Sequence, residues 1–193
     1  MNLFPIRNHT LLRRILLRIA IFIFFAWPLL LFNRGIKHKQ VEVFPEVRPS
    51  KEIIEFIKKK EGFREKAYKP LKGDTWTIGY GFTRIRGRAV RISDVITKEE
   101  ADIELDRLLH EEYAKKLTPK FPIPQREFDA IISLAYNVGV YRLLNSVTWT
   151  LFKQGHDISE RFTMWTKFDG KVIPGLLNRR KEELKIYKEG VYV

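Results

Sequence analysis

The stretch Gln125 to Val138, QREFDAIISLAYNV, limits the fold more than any other part of the chain. Read as a helix, its residues Phe128, Ile131, Ile132, Ala135 and Tyr136 leave little room for a solvent face. A helix apolar on most sides has to be covered by the rest of its domain. The spacing therefore predicts a central helix with other elements packed around it. A length of 193 residues fits one domain, or two small lobes sharing a core, after a leader. With 45% hydrophobic and 13% aromatic residues, the chain can bury a core and is not of the disordered class.

Ser50 is a good N-cap, and helix signals run from Lys51 to Glu61. Ile53, Ile54 and Ile57 repeat at helical spacing. Glu61 lies four residues past Ile57, so it falls on the same apolar face, and Gly62 stands where a helix often stops. Partial burial and the negative end of the helix dipole both disfavour the charged form of such a carboxylate. An acid that stays protonated near neutral pH suits general acid catalysis. The same spacing also describes a surface Glu at a frayed helix end.

Trp76 to Thr83, WTIGYGFT, is β-prone, and its alternating Gly79 and Gly81 let another group approach the backbone. Arg84 to Arg91 reads as further strand with a turn at Gly87. Thr97 and Glu100 form a capping box for a helix over Lys98 to Leu117, whose core stripe is Ala101, Leu105, Leu109, Tyr113 and Leu117. Asp102, Glu104, Asp106, Glu111 and Glu112 read as its solvated face. Three prolines break the chain between Thr118 and Pro124. Further helices are expected near Ser146–Gln154, Ile158–Trp165 and Gly175–Lys188. The fold class is α+β: a small antiparallel sheet lobe first, a helical lobe after it.

Ahead of the domain, Ile19 to Phe32 is fourteen uncharged, mostly apolar residues, and extension back to Ile15 adds only one charge, Arg18. Spanning a bilayer takes roughly 20 residues, with about 17 as a lower limit. Arg18 can snorkel, so residues 15–32 are expected to form a transmembrane signal anchor after a basic tail, 1–14. A cleaved signal peptide and a buried helix are the alternatives. Residues 33–49, with Pro45 and Pro49, read as a linker, leaving 50–193 as the folded domain.

The net charge of +13 is uneven. Residues 1–40 hold seven Lys/Arg and no acid, so the rest carries 29 basic against 23 acidic residues. That mild excess suits an anionic polymer by long-range attraction. Bacterial cell wall is one such polymer and nucleic acid another, though no nucleic-acid motif is present and none is expected as a partner. With no cysteine and only four His, none in a metal-binding pair, neither a metal nor any other cofactor is expected.

These residues together resemble the phage-type lysozymes of glycoside hydrolase family 24. The matching pieces are Glu61-Gly62 with Arg64, Ala67-Tyr68, and Thr77-Ile78-Gly79-Tyr80-Gly81 with Thr83. Downstream, ITKEEAD from Ile96, FDAIISLAYNVG from Phe128, Asn145-Ser146, Trp165 and GLLNRRKEE from Gly175 follow in the family's order. The resemblance covers roughly Ser50 to Glu189. It implies a two-lobed lysozyme-like fold with a cleft, and three catalytic positions: a Glu ending the first helix, an Asp in the hairpin and a Thr opening the strand. Glu61 and Thr77 match. The Asp does not, because its position holds Pro70, and Asp74 comes four residues later. Either Asp74 swings in from a reshaped hairpin, or the chemistry proceeds without that carboxylate, or the chain is inactive. Phe82 also departs from the family, which often places His there.

The implied activity is hydrolysis of peptidoglycan between N-acetylmuramic acid and N-acetylglucosamine, with Glu61 as acid. Thr77, with Asp74 if it reaches, would position water. One of Arg179 or Arg180 would support Glu61 by a partial charge-assisted contact. Tyr80, Trp76, Tyr136 and Asn137 are candidate groups for binding sugar faces and amides. Since peptidoglycan lies outside the cytoplasmic membrane, the expected topology puts residues 1–14 in the cytoplasm and 50–193 on the wall side, as a monomer tethered through 15–32. Secretion after signal cleavage is the alternative. Two further alternatives are a catalytically impaired wall-binding protein and a membrane-active protein with an ancillary wall domain.

Overall fold

A hydroxyl and a buried carboxylate set where the domain begins. Ser50 caps helix α1 (Lys51–Glu61), its Oγ accepting from the amide of Ile53 at 3.1 Å. The same Oγ donates to Asp129 Oδ2 at 2.7 Å, and the Ser50 amide donates to Oδ1 at 3.1 Å. Asp129 sits in the middle of the apolar central helix and is fully buried. Gln125 Nε2 (3.0 Å) and Tyr192 Oη (2.5 Å) also donate to it. A buried carboxylate is tolerable only when so supplied with donors. The computed structural model describes residues 47–71 and 73–193. The expected tail 1–14, the expected membrane span 15–32 and most of the expected linker 33–49 lie outside the described residues. Among the described residues no helix is long and apolar enough to cross a membrane.

From α1 the chain enters β1 (Arg64–Tyr68) and β2 (Thr77–Gly79), which pair antiparallel with an irregular register. Their end pair, Tyr68 opposite Thr77, brings both residues to one edge. Strands β3 (Arg84–Ile85) and β4 (Arg88–Ala89) make a tight hairpin. Arg86 (φ 49°) and Gly87 (φ 75°) form its turn, and two successive positive φ values match the right-handed strand twist. A third hairpin joins β5 (Lys167–Phe168) and β6 (Lys171–Val172) through Asp169 and Gly170. The single small sheet expected from the sequence is thus three two-stranded ones among the described residues.

Thr97 and Glu100 close the expected capping box of α2 (Lys98–Arg107). The helix does not continue in one geometry to Leu117. Leu108–Ala114 is π-helical, and α3 (Lys115–Leu117) follows. The extra residue in that stretch shifts the buried stripe by one position. Ala101, Leu105, Leu109 and Leu117 are fully buried as expected, but Ala114 takes the core place assigned to Tyr113. Tyr113 is only half-buried.

The central helix α4 (Gln125–Val138) is buried without interruption from Phe128 to Ala135. Gly139 (φ 93°) ends it, α5 (Val140–Leu144) packs on it, and α6 (Val147–Phe152) packs on α5. The segment expected as helix near Ile158–Trp165 is 3₁₀ at Ser159–Met164. Helix α7 (Pro174–Glu189) packs along α4, with Pro174 in its first turn and Gly190 in the left-handed conformation after its end. Ile53, Ile57, Phe128, Ile131 and Phe162 are all fully buried. Each contributes roughly 1.5–3 kcal/mol of apolar burial.

Candidate functional site

Glu61 is the last residue of α1, and Gly62 (φ 69°) stops the helix by turning the chain away. That leaves the Glu61 side chain on the wall of a groove of about 640 Å³. The β1–β2 edge supplies Tyr68, Pro70 and Thr77. The bend after β2 supplies Gly81 and Thr83, and the β3–β4 hairpin supplies Arg84. The opposite wall comes from Leu108, Glu112, Tyr113 and Lys116 on the π-helical stretch and α3, and from Tyr136, Asn137 and Tyr141 around the end of α4. Aromatic faces, the Asn137 amide and charged groups line it, a lining suited to a polar ligand with apolar faces.

The Glu61 carboxylate is held by one oxygen. Arg179 Nη1 donates to Oε1 at 2.6 Å. Oε2 lies towards Gly81, where an added Cβ would sit 3.9 Å away. The Glu61 side chain remains 22% exposed. Arg179 is itself anchored, its Nε donating to Glu183 Oε1 at 3.2 Å. Glu183 is completely buried and also accepts from Ser133 Oγ at 2.7 Å and Arg180 Nη2 at 2.9 Å. Burial pushes its carboxyl up, and the two guanidiniums with Ser133 pull it back. Arg180 Nη2 reaches Asn137 Oδ1 at 3.0 Å. The paired arginines of α7 therefore hold two groove residues, Glu61 through Arg179 and Asn137 through Arg180. With its oxygen occupied, the Asn137 amide presents its NH₂ as the remaining polar group.

Thr77 lines the groove from β2, nearly buried, with its Oγ1 donating to the Thr75 carbonyl at 3.1 Å. The geometry thus gathers Glu61, Thr77, Tyr136 and Asn137 around one groove, with Arg179 and Arg180 behind it. Tyr136 Oη donates to the Tyr80 carbonyl at 2.8 Å, and its ring meets that of Tyr113 at 5.7 Å.

Three other expected site residues are placed elsewhere. Tyr80 is a core side chain, 2% exposed, packed on Phe63 and Phe82, with its hydroxyl donating to Asp102 Oδ1 at 2.7 Å. Burial first, and Asp102 second, push its phenol up to about 12. Gly79 (φ 62°) reverses the strand before Tyr80 and sends the ring inward. Trp76 lies outside the groove, with Lys69 Nζ 5.2 Å above its ring. Asp74 is exposed and serves its own turn. Its Oδ2 accepts from the Leu71 amide at 2.9 Å, and its amide donates to the Leu71 carbonyl at 3.1 Å. Pro70, not a carboxylate, lines the groove at the position where an Asp was expected.

Two further carboxylates do reach the groove, Glu104 and Glu112. Both are engaged by Arg107, at 2.8 Å and 3.3 Å. Their helical spacing alone reads as a solvated face. Tyr68, Tyr113 and Tyr141 are further groove residues not among the expected site residues. Tyr68 was already part of the Ala67-Tyr68 resemblance, whereas nothing in the helical spacing signals Tyr113. Among the described residues no cluster of His, Cys, Asp or Glu could hold a metal ion.

Comparison with known proteins agrees with this geometry. The Phage lysozyme family profile matches residues 58–183. The endolysin of Bacillus phage B103 is 35% identical over 146 residues, covering 71% of this chain but 52% of its own length, so the chain spans about half of that relative. The endolysin of Acyrthosiphon pisum secondary endosymbiont phage 1 is 34% identical over 146 residues, covering 72% of this chain and 97% of its own. Among solved structures, an endolysin from Escherichia coli O157:H7 phage FAHEc1 superposes with a TM-score of 0.67 at 32% identity, over 77% of this chain and 98% of that one. The lysozyme-like fold, the groove and the order of motifs meet in one assignment: the chain belongs to the phage lysozyme family of glycoside hydrolases.

Proposed function

We propose that the domain is a muramidase: it hydrolyses peptidoglycan at the bond between N-acetylmuramic acid and N-acetylglucosamine, with Glu61 as general acid. The observation that carries this reading is the single-oxygen grip on Glu61. Arg179 fixes Oε1 at 2.6 Å while Oε2 lies towards Gly81 in the groove wall. A fixed carboxyl beside a sugar-sized groove can deliver its proton to a leaving oxygen in one orientation. Hydrolysis also needs a water on the opposite face of the sugar. With Asp74 turned to Leu71, positioning that water falls to Thr77, whose hydroxyl can accept from it while donating to Thr75; the proton the water sheds passes to solvent, from which Glu61 is reprotonated. The partner is the glycan strand. Lys116 and Arg84 on the groove walls suit its anionic groups.

Glu61→Gln tests the reading. Clearing of purified peptidoglycan should disappear, with thermal unfolding unchanged. Full clearing by that variant removes Glu61 from the mechanism.

One observation favours a second reading, a module that grips glycan without cleaving it. Pro70 stands in the groove at the expected Asp position, and besides Glu61 the carboxylates there, Glu104 and Glu112, are both bonded to Arg107. Pull-down on insoluble wall with no release of reducing sugar would select this alternative.

We also propose that residues 15–32 tether a monomeric domain to the cytoplasmic membrane, facing the wall. The support is the apolar run itself and the location of the substrate. Protease should reach the domain in spheroplasts but not in intact cells. Release of the chain from membranes by alkaline carbonate would exclude the anchor.

A further inference from the structure

The π-helical stretch Leu108–Ala114 has a local effect that packing alone does not require. Leu109 and Ala114, five residues apart, both face the core, at 0% and 2% exposure. A continuous α-helix would place residue 113 there instead. The extra residue turns Tyr113 out of the core and onto the groove wall, beside Tyr136 and in the same groove as Glu61. Stretches of this geometry are rare and concentrate where a helix serves a site.

The Tyr113 hydroxyl also differs from those of three other tyrosines. Tyr136 Oη donates to the Tyr80 carbonyl, Tyr80 Oη to Asp102, and Tyr192 Oη to Asp129. The hydroxyl of Tyr113 makes no hydrogen bond to another described residue, although its ring is half-buried. Its oxygen is not a buried orphan but opens into the groove. The groove is the place from which a partner can come.

We propose that Tyr113 is a substrate-contacting residue, its hydroxyl donating a hydrogen bond to an oxygen of the amino sugar that lies against Glu61, and that the π-helical turn is what aims it there. The proposal rests on the reading of the groove as a peptidoglycan site. Burial, then the carboxylates of Glu112 and Glu61, push the phenol up to about 12, so it stays protonated and able to donate. Acceptors of the right kind are the sugar ring oxygen, its hydroxyls and the acetamido carbonyl. The ring face of Tyr136 at 5.7 Å fixes the direction of the phenol.

Tyr113→Phe removes the hydroxyl alone and keeps the ring against Tyr136. Binding of solubilised peptidoglycan glycan strands is measured in a Glu61→Gln background, where turnover does not intervene, with thermal unfolding recorded for both proteins. The expected result is a Kd about three- to tenfold weaker at an unchanged Tm, as for one lost hydrogen bond between uncharged groups. An unchanged Kd overturns the proposal, and so does a parent that binds no glycan. Turnover by the protein with Glu61 intact is assayed alongside. If it fails to cleave yet Tyr113→Phe weakens binding, the hydrolase reading falls and the sugar contact stands. If it cleaves and the Kd does not move, the contact falls and the hydrolase reading stands.

Discussion

Arg179 and Glu61, 118 positions apart in the sequence, meet at 2.6 Å across the groove wall. The Arg179 side chain is 9% exposed, and the far side of its guanidinium rests on Glu183. Arg179→Met would leave Glu61 unrestrained and Glu183 with only Arg180 and Ser133. Breaking a buried pair from one side costs about 3–5 kcal/mol. We expect Tm to fall by roughly 10 °C, with loss of most wall-clearing activity. Calorimetry and turbidity clearing of the same preparation check it, and a variant as stable and active as its parent refutes the role.

Asp74 is predicted to be dispensable for turnover. Its carboxylate closes the Leu71 turn and does not line the groove. Asn can still accept from the Leu71 amide, so Asp74→Asn should change clearing less than about threefold and stability by under about 1 kcal/mol. A loss as large as that of Glu61→Gln would show that the loop moves during catalysis.

Acid stability should depend on Asp94. Arg88 donates to it at 2.6 and 2.7 Å and the Arg91 amide at 2.7 Å, which holds its carboxyl well below the usual carboxylate range. A carboxyl depressed by folding stabilises the fold above its unfolded value of about 3.9. That contribution fades as pH falls from about 4 towards the folded value. Asp94→Asn should therefore be less stable than its parent at pH 7, and the gap should begin to narrow only as pH falls below about 4. Urea midpoints across that range test this, and parallel curves would exclude the linkage.

Gly79→Ala should be strongly destabilising. Gly79 has φ 62°, and an added Cβ would stand 2.7 Å from two ring carbons of Phe82. Strain and overpacking together cost about 2–4 kcal/mol. Gly62→Ala shares the positive φ (69°) but meets nothing within 4 Å, so it should lose only the backbone part. Chemical denaturation of the two variants gives the difference, and equal losses would discount the Phe82 contact.

Much of this architecture could be read before any coordinates. The isoleucines of α1, the apolar run of α4 and the Thr97–Glu100 capping box each carry a local signal strong enough to survive packing. So did Glu61 and Thr77 as groove residues. What failed depended on neighbours distant in sequence. Tyr80 belongs to a β-prone run that looks symmetric, and only the reversal at Gly79 decides which rings turn inward. Asp129 looks like a blemish in an apolar helix until Ser50 and Tyr192 converge on it. Tyr113 obeys the fourfold spacing of its helix perfectly, and the inserted residue that breaks the spacing has no marker of its own. The Asp169-Gly170 pair, by contrast, carries a hairpin signal in the sequence itself.

Glu183 serves both arginines at once, so the acid on one wall and the amide of Asn137 on the other share a single foundation. Substitutions at Asn137 will therefore be felt at Glu61 too, and paired changes at Arg179 and Arg180 will not sum. Any redesign of this groove has to treat its two walls as one component.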